Sequence, residues 1–211
     1  MGISERRARD REMLRGKILD AAGQLFVREG VASVSLRKIA DKIEYSPATI
    51  YLYFRDKNEL FTSLCQETFV PLKAELERLE QEVSDPLQAL RDGLRFYIEF
   101  GLEHPHHYVL TFCTPKREFK DLENAPNFQE TNQTGLETFD CLRRSLVRCR
   151  DRGLLEFGDL EATSQSVWMS IHGTTSLLIS AHGNPHFPWV EKETLIRTSI
   201  DLVMRGLRKE C

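Results

Sequence analysis

The residues Ser33 to Glu59, SVSLRKIADKIEYSPATIYLYFRDKNE, leave a chain few ways to fold. Leu36, Ile39, Ala40 and Ile43 recur at i, i+3, i+4 and i+7, the apolar face of a short helix, with Ser35 or Ser33 as its N-cap. Glu44 and Tyr45 interrupt that pattern. Ser46-Pro47 then starts a second helix. The serine hydroxyl accepts from an orphan amide of the first turn, and proline has no N–H to leave unpaired there. Tyr45 and Ile50 stand at N′ and N4, where a hydrophobic staple sets the entry angle. Ile50 and Phe54 face inward, which leaves Ser46, Ala48, Thr49, Tyr51 and Tyr53 facing outward or sideways. Two short helices about a tight turn, the second small and polar at its start, make a helix-turn-helix, whose second helix fits the DNA major groove.

A third helix follows at once. Asp56 caps it, Glu59 stands where a capping box needs it, and Lys57 brings an ammonium to its positive end, the elements of a phosphate site. The expected DNA contacts follow from position. Thr49 and Tyr51 meet bases or phosphates, Tyr53 hydrogen-bonds a phosphate, and Lys57 clamps one. Ser35 and Arg37 hold the opposite backbone. Pro47 and Ala48 offer few hydrogen bonds, so part of the readout is expected to be apolar, as at thymine methyls.

The stretch SLRKIADKIEYSPATIYLYFRDKNELF resembles the DNA-binding signature of TetR-family transcriptional regulators. The resemblance rests on the Ile39-Ala40 pair, on I-Y-x-Y-F from Ile50 to Phe54 and on K-x-E-L from Lys57 to Leu60, and it extends from Leu14 to Leu64. The family often has glycine in the turn, where this chain has Glu44. The resemblance implies repression of transcription, and pairing of two copies through their last two helices into a four-helix bundle.

The rest of the chain reads as helices. An all-α fold is expected, with an N-terminal three-helix head over residues 1–58 and a C-terminal antiparallel bundle over 59–211, about nine helices in all. Leu14, Ile18, Ala21, Ala22, Leu25 and Phe26 form the apolar face of the first helix, which ends at Gly30. Before it, SERRARDRE is either a solvated extension or a basic arm that reaches DNA through Arg6, Arg7, Arg9 and Arg11. The helix from Lys57 to about Val83 contains Pro71, so a kink is expected near Val70. Further helices are expected over 87–103, Tyr108–Cys113, Phe128–Arg152, Asp159–Ala181 and Trp189–Lys209, with a loop from Thr114 to Asn127.

Charge supports the division. Residues 1–60 carry a net charge of +3 and the remainder −6, a basic head on an acidic body. No apolar run approaches the ~18 residues of a membrane span. MGISERRARDREM lacks the apolar segment of a secretory signal, and Arg6 spoils a myristoylation motif at Gly2, so a cytoplasmic location is expected. The cysteines at 65, 113, 141, 149 and 211 form no C-x-x-C, and no disulfide framework is expected; Cys141 and Cys149, eight apart, can share a helix face and read as buried small hydrophobes rather than a redox switch. His104, His106 and His107 cluster without acids or cysteines at ligand spacing, and no cofactor or metal is expected.

In the body, Trp168-x-x-x-His172-Gly173 resembles a pattern found in one TetR subgroup, and its i, i+4 spacing stacks Trp168 over His172. His172 reads as a core histidine or as a ligand contact. Gly173 suggests a close helix approach. Phe96, Tyr97, Phe100, Tyr108, Phe112, Phe139, Trp168 and His172 fill a core or line a pocket for a small hydrophobic or aromatic effector. Val167, Ile171, Thr174, Leu178, Ile196, Ser199, Ile200, Val203 and Gly206 either finish the core or form the homodimer interface.

Three functions compete for such a chain. The leading one is a ligand-responsive repressor that binds a palindromic double-stranded operator as a dimer. A ligand-independent architectural or nucleoid-associated DNA-binding protein is the alternative. An enzyme has no support, since the chain carries no glycine-rich phosphate loop, no H-E-x-x-H and no nucleophile elbow.

Overall fold

The computed structural model describes residues 2–208, so the readings placed on Lys209 and Cys211 lie outside the described residues. The described residues form α1 (Ile3–Glu29), α2 (Leu36–Lys42), α3 (Pro47–Tyr51), α4 (Lys57–Glu82), α5 (Pro86–Glu103), α6 (Pro105–Tyr108), α7 (Phe128–Asp151), α8 (Leu160–Ser180) and α9 (Lys192–Gly206), with no strand among them. The all-α expectation stands.

Local chemistry sets the boundaries. Ser35 accepts from the Lys38 amide and Ser46 from the Thr49 amide, both at 3.2 Å, and Pro47 occupies the first turn of α3. Asp85 caps α5 and Asp159 caps α8. Gly30 ends α1 at φ 78°, a value that favours glycine. The last helix starts at Lys192 rather than Trp189. Pro188 keeps its predecessor extended, and Glu191 supplies the cap by accepting from the Thr194 amide at 2.9 Å. The segment expected as a helix from Tyr108 to Cys113 is the end of α6 followed by a π-turn over Val109–Cys113. α4 continues through Pro71 without a break.

The chain forms two compact units. One comprises Met1–Thr68 and His106–Gln133, the other Phe69–Pro105 and Thr134–Cys211. In the first, Ile18, Ala22, Leu25 and Phe26 of α1, Ile39 and Ala40 of α2, Ile50 and Phe54 around α3, and Leu60, Phe61 and Leu64 of α4 are buried. Each such aliphatic or aromatic side chain contributes about 1.5–3 kcal/mol through removal from water.

In the second unit, α5 packs against α8 and α9. Leu90, Leu94 and Ile98 of α5 meet Leu146 and Cys149 of α7, Val167, Ile171 and Leu178 of α8, and Ile196, Ile200 and Met204 of α9. Gly135 of α7 lies under the Phe69 ring, where a Cβ would stand 3.0 Å from Phe69 Cζ. Any larger residue there displaces the ring.

Candidate nucleic-acid interface and effector site

The turn between α2 and α3 is closed by backbone bonds, with the Ile43 amide on Ile39 and Ala40 carbonyls and the Tyr45 amide on Ala40 at 3.0 Å. Between them Glu44 adopts φ 61°, the left-handed conformation that glycine takes without cost. The family's glycine position is therefore kept in geometry and changed in chemistry.

Ser35, Arg37, Ser46, Ala48 and Tyr51 are exposed, while Thr49, Tyr53 and Lys57 are half-buried. All eight expected DNA contacts lie on the first unit. The Ser46 and Thr49 hydroxyls share a hydrogen bond of 2.9 Å. Arg11 stands over the Tyr53 ring at 5.9 Å, so the end of the basic N-terminal segment, helical in α1, reaches the recognition segment. Lys57 Nζ donates to the Val31 carbonyl at 2.9 Å, which fixes one of its three protons. Asp56 accepts from the Glu59 amide at 2.9 Å, and Glu59 reaches back to the Arg55 amide at 2.7 Å, one residue before the cap. Burial pushes the Asp56 carboxyl up, but the Glu59 amide and Arg55 outweigh it and hold the group below its ordinary range. Leu52, absent from the expected set, is 76% exposed.

A segment distant in sequence belongs to the same unit. Phe119 stacks on Phe61 at 3.9 Å and meets Phe26 edge-on at 6.1 Å. Asn58 donates to the Lys120 and Asp121 carbonyls, and Arg55 to the Asn124 carbonyl. Asn127 accepts from Thr62 and donates to Ser63 at 3.0 Å. The loop expected from Thr114 to Asn127 is thus strapped along the first turns of α4. Its polarity follows from these bonds, which no periodicity reveals.

The eight expected effector residues divide. Tyr108 and Phe112, with rings 5.0 Å apart, belong to the first unit, and the other six to the second. Phe96 and Phe100 pack together at 6.1 Å on α5. Tyr97, Phe139, Trp168 and His172 come together. Phe139 meets Trp168 edge-on at 6.1 Å, and Trp168 and His172 lie 5.6 Å apart. The Trp168 indole N–H donates to the Tyr97 hydroxyl at 3.1 Å, which stands 3.3 Å from His172 Nδ1. Ser176 Oγ lies 3.4 Å from His172 Nε2. Ser176 escaped the sequence reading, although its i+4 spacing from His172 was the available signal. Burial lowers the His172 pKa, so the imidazole is held neutral.

On α8 and α9 the residues left open between core and interface divide. Val167, Ile171, Leu178, Ile196 and Ile200 are buried in the core of the unit, so they finish it rather than wait for a partner. A different set is exposed, with Met169 at 60%, Leu177 at 54% and Leu202 at 65%. An open groove of about 330 Å³ lies here, lined by Thr163, Ser166, Ser170, Leu202, Val203 and Gly206 among others. A Cβ on Gly173 would meet nothing within 4 Å, so among the described residues no neighbouring helix needs a glycine there, contrary to the expected close approach.

Elsewhere, Cys65, Cys141 and Cys149 are buried, and burial pushes the Cys65 thiol up to about 12. Among the described residues no group of three or more His, Cys, Asp or Glu side chains is placed to hold a metal, and no helix is long and apolar enough to cross a membrane.

Comparison with known proteins agrees with this geometry. Residues 18–64 match the model of bacterial regulatory proteins of the tetR family, and residues 90–201 match the tetracyclin repressor-like C-terminal domain. The chain is 31% identical over 143 residues to the HTH-type transcriptional regulator AcrR of Shigella flexneri, covering 67% of this chain and 66% of that one. It is 29% identical over 104 residues to the transcriptional repressor NicS of Pseudomonas putida, covering 49% of each. The match thus spans about half to two thirds of the length of these curated relatives. The crystal structure of PfmR from Thermus thermophilus superposes with a TM-score of 0.73 at 23% identity, over 91% of this chain and 99% of that one, a likeness of fold. The chain belongs to the tetR family of bacterial transcriptional regulators, DNA-binding proteins built on a helix-turn-helix.

Proposed function

We propose that this protein is a ligand-responsive repressor, located in the cytoplasm, that binds a palindromic operator as a homodimer and leaves it when a small hydrophobic or aromatic effector enters the body. The single observation that carries the effector is the hydrogen-bonded line Trp168–Tyr97–His172–Ser176 with the Phe139 ring edge-on to Trp168, polar groups and aromatic rings side by side in the second unit. Such a pairing binds an apolar molecule and orients one polar group on it. The Trp168, His172 and Gly173 pattern lies within the matched C-terminal region, which supports the subgroup reading.

On this reading, residues 1–58 are the DNA-binding domain and 59–211 the effector and dimerisation domain. Ser46, Ala48, Thr49 and Tyr51 enter the major groove, and Ser35, Arg37, Tyr53 and Lys57 hold phosphates. Two heads pair through the exposed stripe of α8 and α9, which carries Met169, Leu177 and Leu202 beside small residues. Half-sites one helical turn apart, about 34–36 Å, then make DNA affinity sensitive to the spacing of the heads. Selection from a randomised DNA library tests this. The expected product is an inverted repeat, released by an apolar compound whose effect is lost in Tyr97→Phe or His172→Ala. Enrichment without symmetry, indifferent to any compound, would instead favour an architectural role.

A further inference from the structure

The recognition segment carries no side chain that can pair a purine edge bidentately. From Tyr45 to Phe54, YSPATIYLYF, there is no Arg, Lys, Asn, Gln, Asp or Glu. The bidentate pairings that select guanine or adenine are therefore out of its reach. Beside the hydroxyls of Ser46 and Thr49 it presents a large apolar surface. Leu52, at 76% exposure, exceeds the other exposed large hydrophobic residues described, and Tyr51 beside it is 60% exposed. Leu52 keeps helical backbone angles at the end of α3 (φ −73°, ψ −17°). It therefore stands one turn after Ala48, also exposed, on a face away from buried Ile50 and Phe54.

An exposed leucine is ordinary on a protein surface. Here it stands at the C-terminal end of α3, the second helix of the motif, in the unit that also carries the basic residues Arg37, Lys38, Lys42 and Arg55. Among major-groove features, the thymine 5-methyl group is the apolar one. We propose that Leu52, with Ala48 one turn before it, is the specificity-determining residue of this head and that it reads thymine methyl groups. The inference rests on the DNA-binding reading above and names what that interface recognises.

The test uses full-length protein and the operator enriched from a randomised library. Each thymine is replaced singly by deoxyuridine, which removes the methyl group and nothing else, and affinity is read by fluorescence anisotropy. One or two positions per half-site should weaken binding about three- to fivefold, the effect of one buried methyl. Leu52→Ala should be indifferent to uridine at those positions, and Leu52→Met should retain the sensitivity. Both variants should melt with wild type, because the side chain is exposed. Indifference of wild type to uridine at every position would overturn the proposal while leaving DNA binding intact. So would full uridine sensitivity in Leu52→Ala. A library that yields no enriched sequence would overturn the DNA-binding reading and this inference with it.

Discussion

The Phe119 ring lies 3.9 Å from that of Phe61 and nearly parallel to it, although 58 residues separate them in the chain. Phe61 stands one turn into α4, beside the helix-turn-helix, and Phe119 comes from the loop between α6 and α7. The compact unit around the DNA-reading helices is therefore discontinuous. A segment inserted from the second half of the chain completes its core.

Phe119→Ala should therefore destabilise the protein by ~3 kcal/mol and weaken operator binding through the head. Phe119→Leu should recover more than half of that loss. Chemical denaturation and anisotropy on the same samples check both. If Phe119→Ala unfolds with wild type, the segment is not part of the head's core.

Glu44 holds a left-handed backbone with a side chain that gains nothing from it. Glu44→Gly should raise stability by about 0.5–1 kcal/mol and leave the fold of the turn unchanged. Thermal unfolding at matched pH is the measurement.

These two residues also mark what a sequence discloses. The helix-turn-helix was legible because serine caps, proline at the first turn and apolar spacing all act within a few residues. The departure at Glu44 was legible only through the family resemblance, which expects glycine in that turn. The place of Phe119 was not, since a polar loop becomes ordered only through partners such as Asn58, Thr62 and Ser63 that lie far back in the chain. The aromatic set was half legible. Composition picked out Tyr97, Phe139, Trp168 and His172, yet could not tell that Tyr108 and Phe112 fold with the other unit. The faces of α8 and α9 were legible only as two alternatives, because periodicity marks an apolar face without saying whether the same chain or a second copy covers it.

Burial lowers the His172 pKa, so in the folded state the ring stays neutral where the unfolded chain takes up a proton. Stability tied to this group is present above the unfolded value near 6.5 and is lost as pH falls from there through the lowered folded value. Melting temperature should fall between about pH 7.5 and 5.5, and fall less in His172→Gln. Equal pH dependence in both proteins would remove His172 from the account.

The exposed stripe on α8 and α9 predicts that charge there separates the copies. Leu202→Glu with Leu177→Glu should shift light-scattering mass from two chains to one, keep helical content, and reduce operator affinity by roughly a hundredfold or more through lost avidity. A double variant that remains dimeric would move the interface elsewhere.

The most direct test of the central claim, that α3 and the start of α4 clamp operator DNA, is a salt titration. Binding of wild type, Arg37→Ala, Tyr53→Phe and Lys57→Ala to the selected operator is followed by anisotropy from low to moderate salt. Lys57 already donates to the Val31 carbonyl, so lost affinity alone could reflect a loosened turn. The slope separates the two, because removing a phosphate contact lowers it by about one and a purely structural change does not. The account predicts weaker binding in all three variants, with slopes reduced by about one in Arg37→Ala and Lys57→Ala and unchanged in Tyr53→Phe. Wild-type affinity and slope in both cation variants would contradict it.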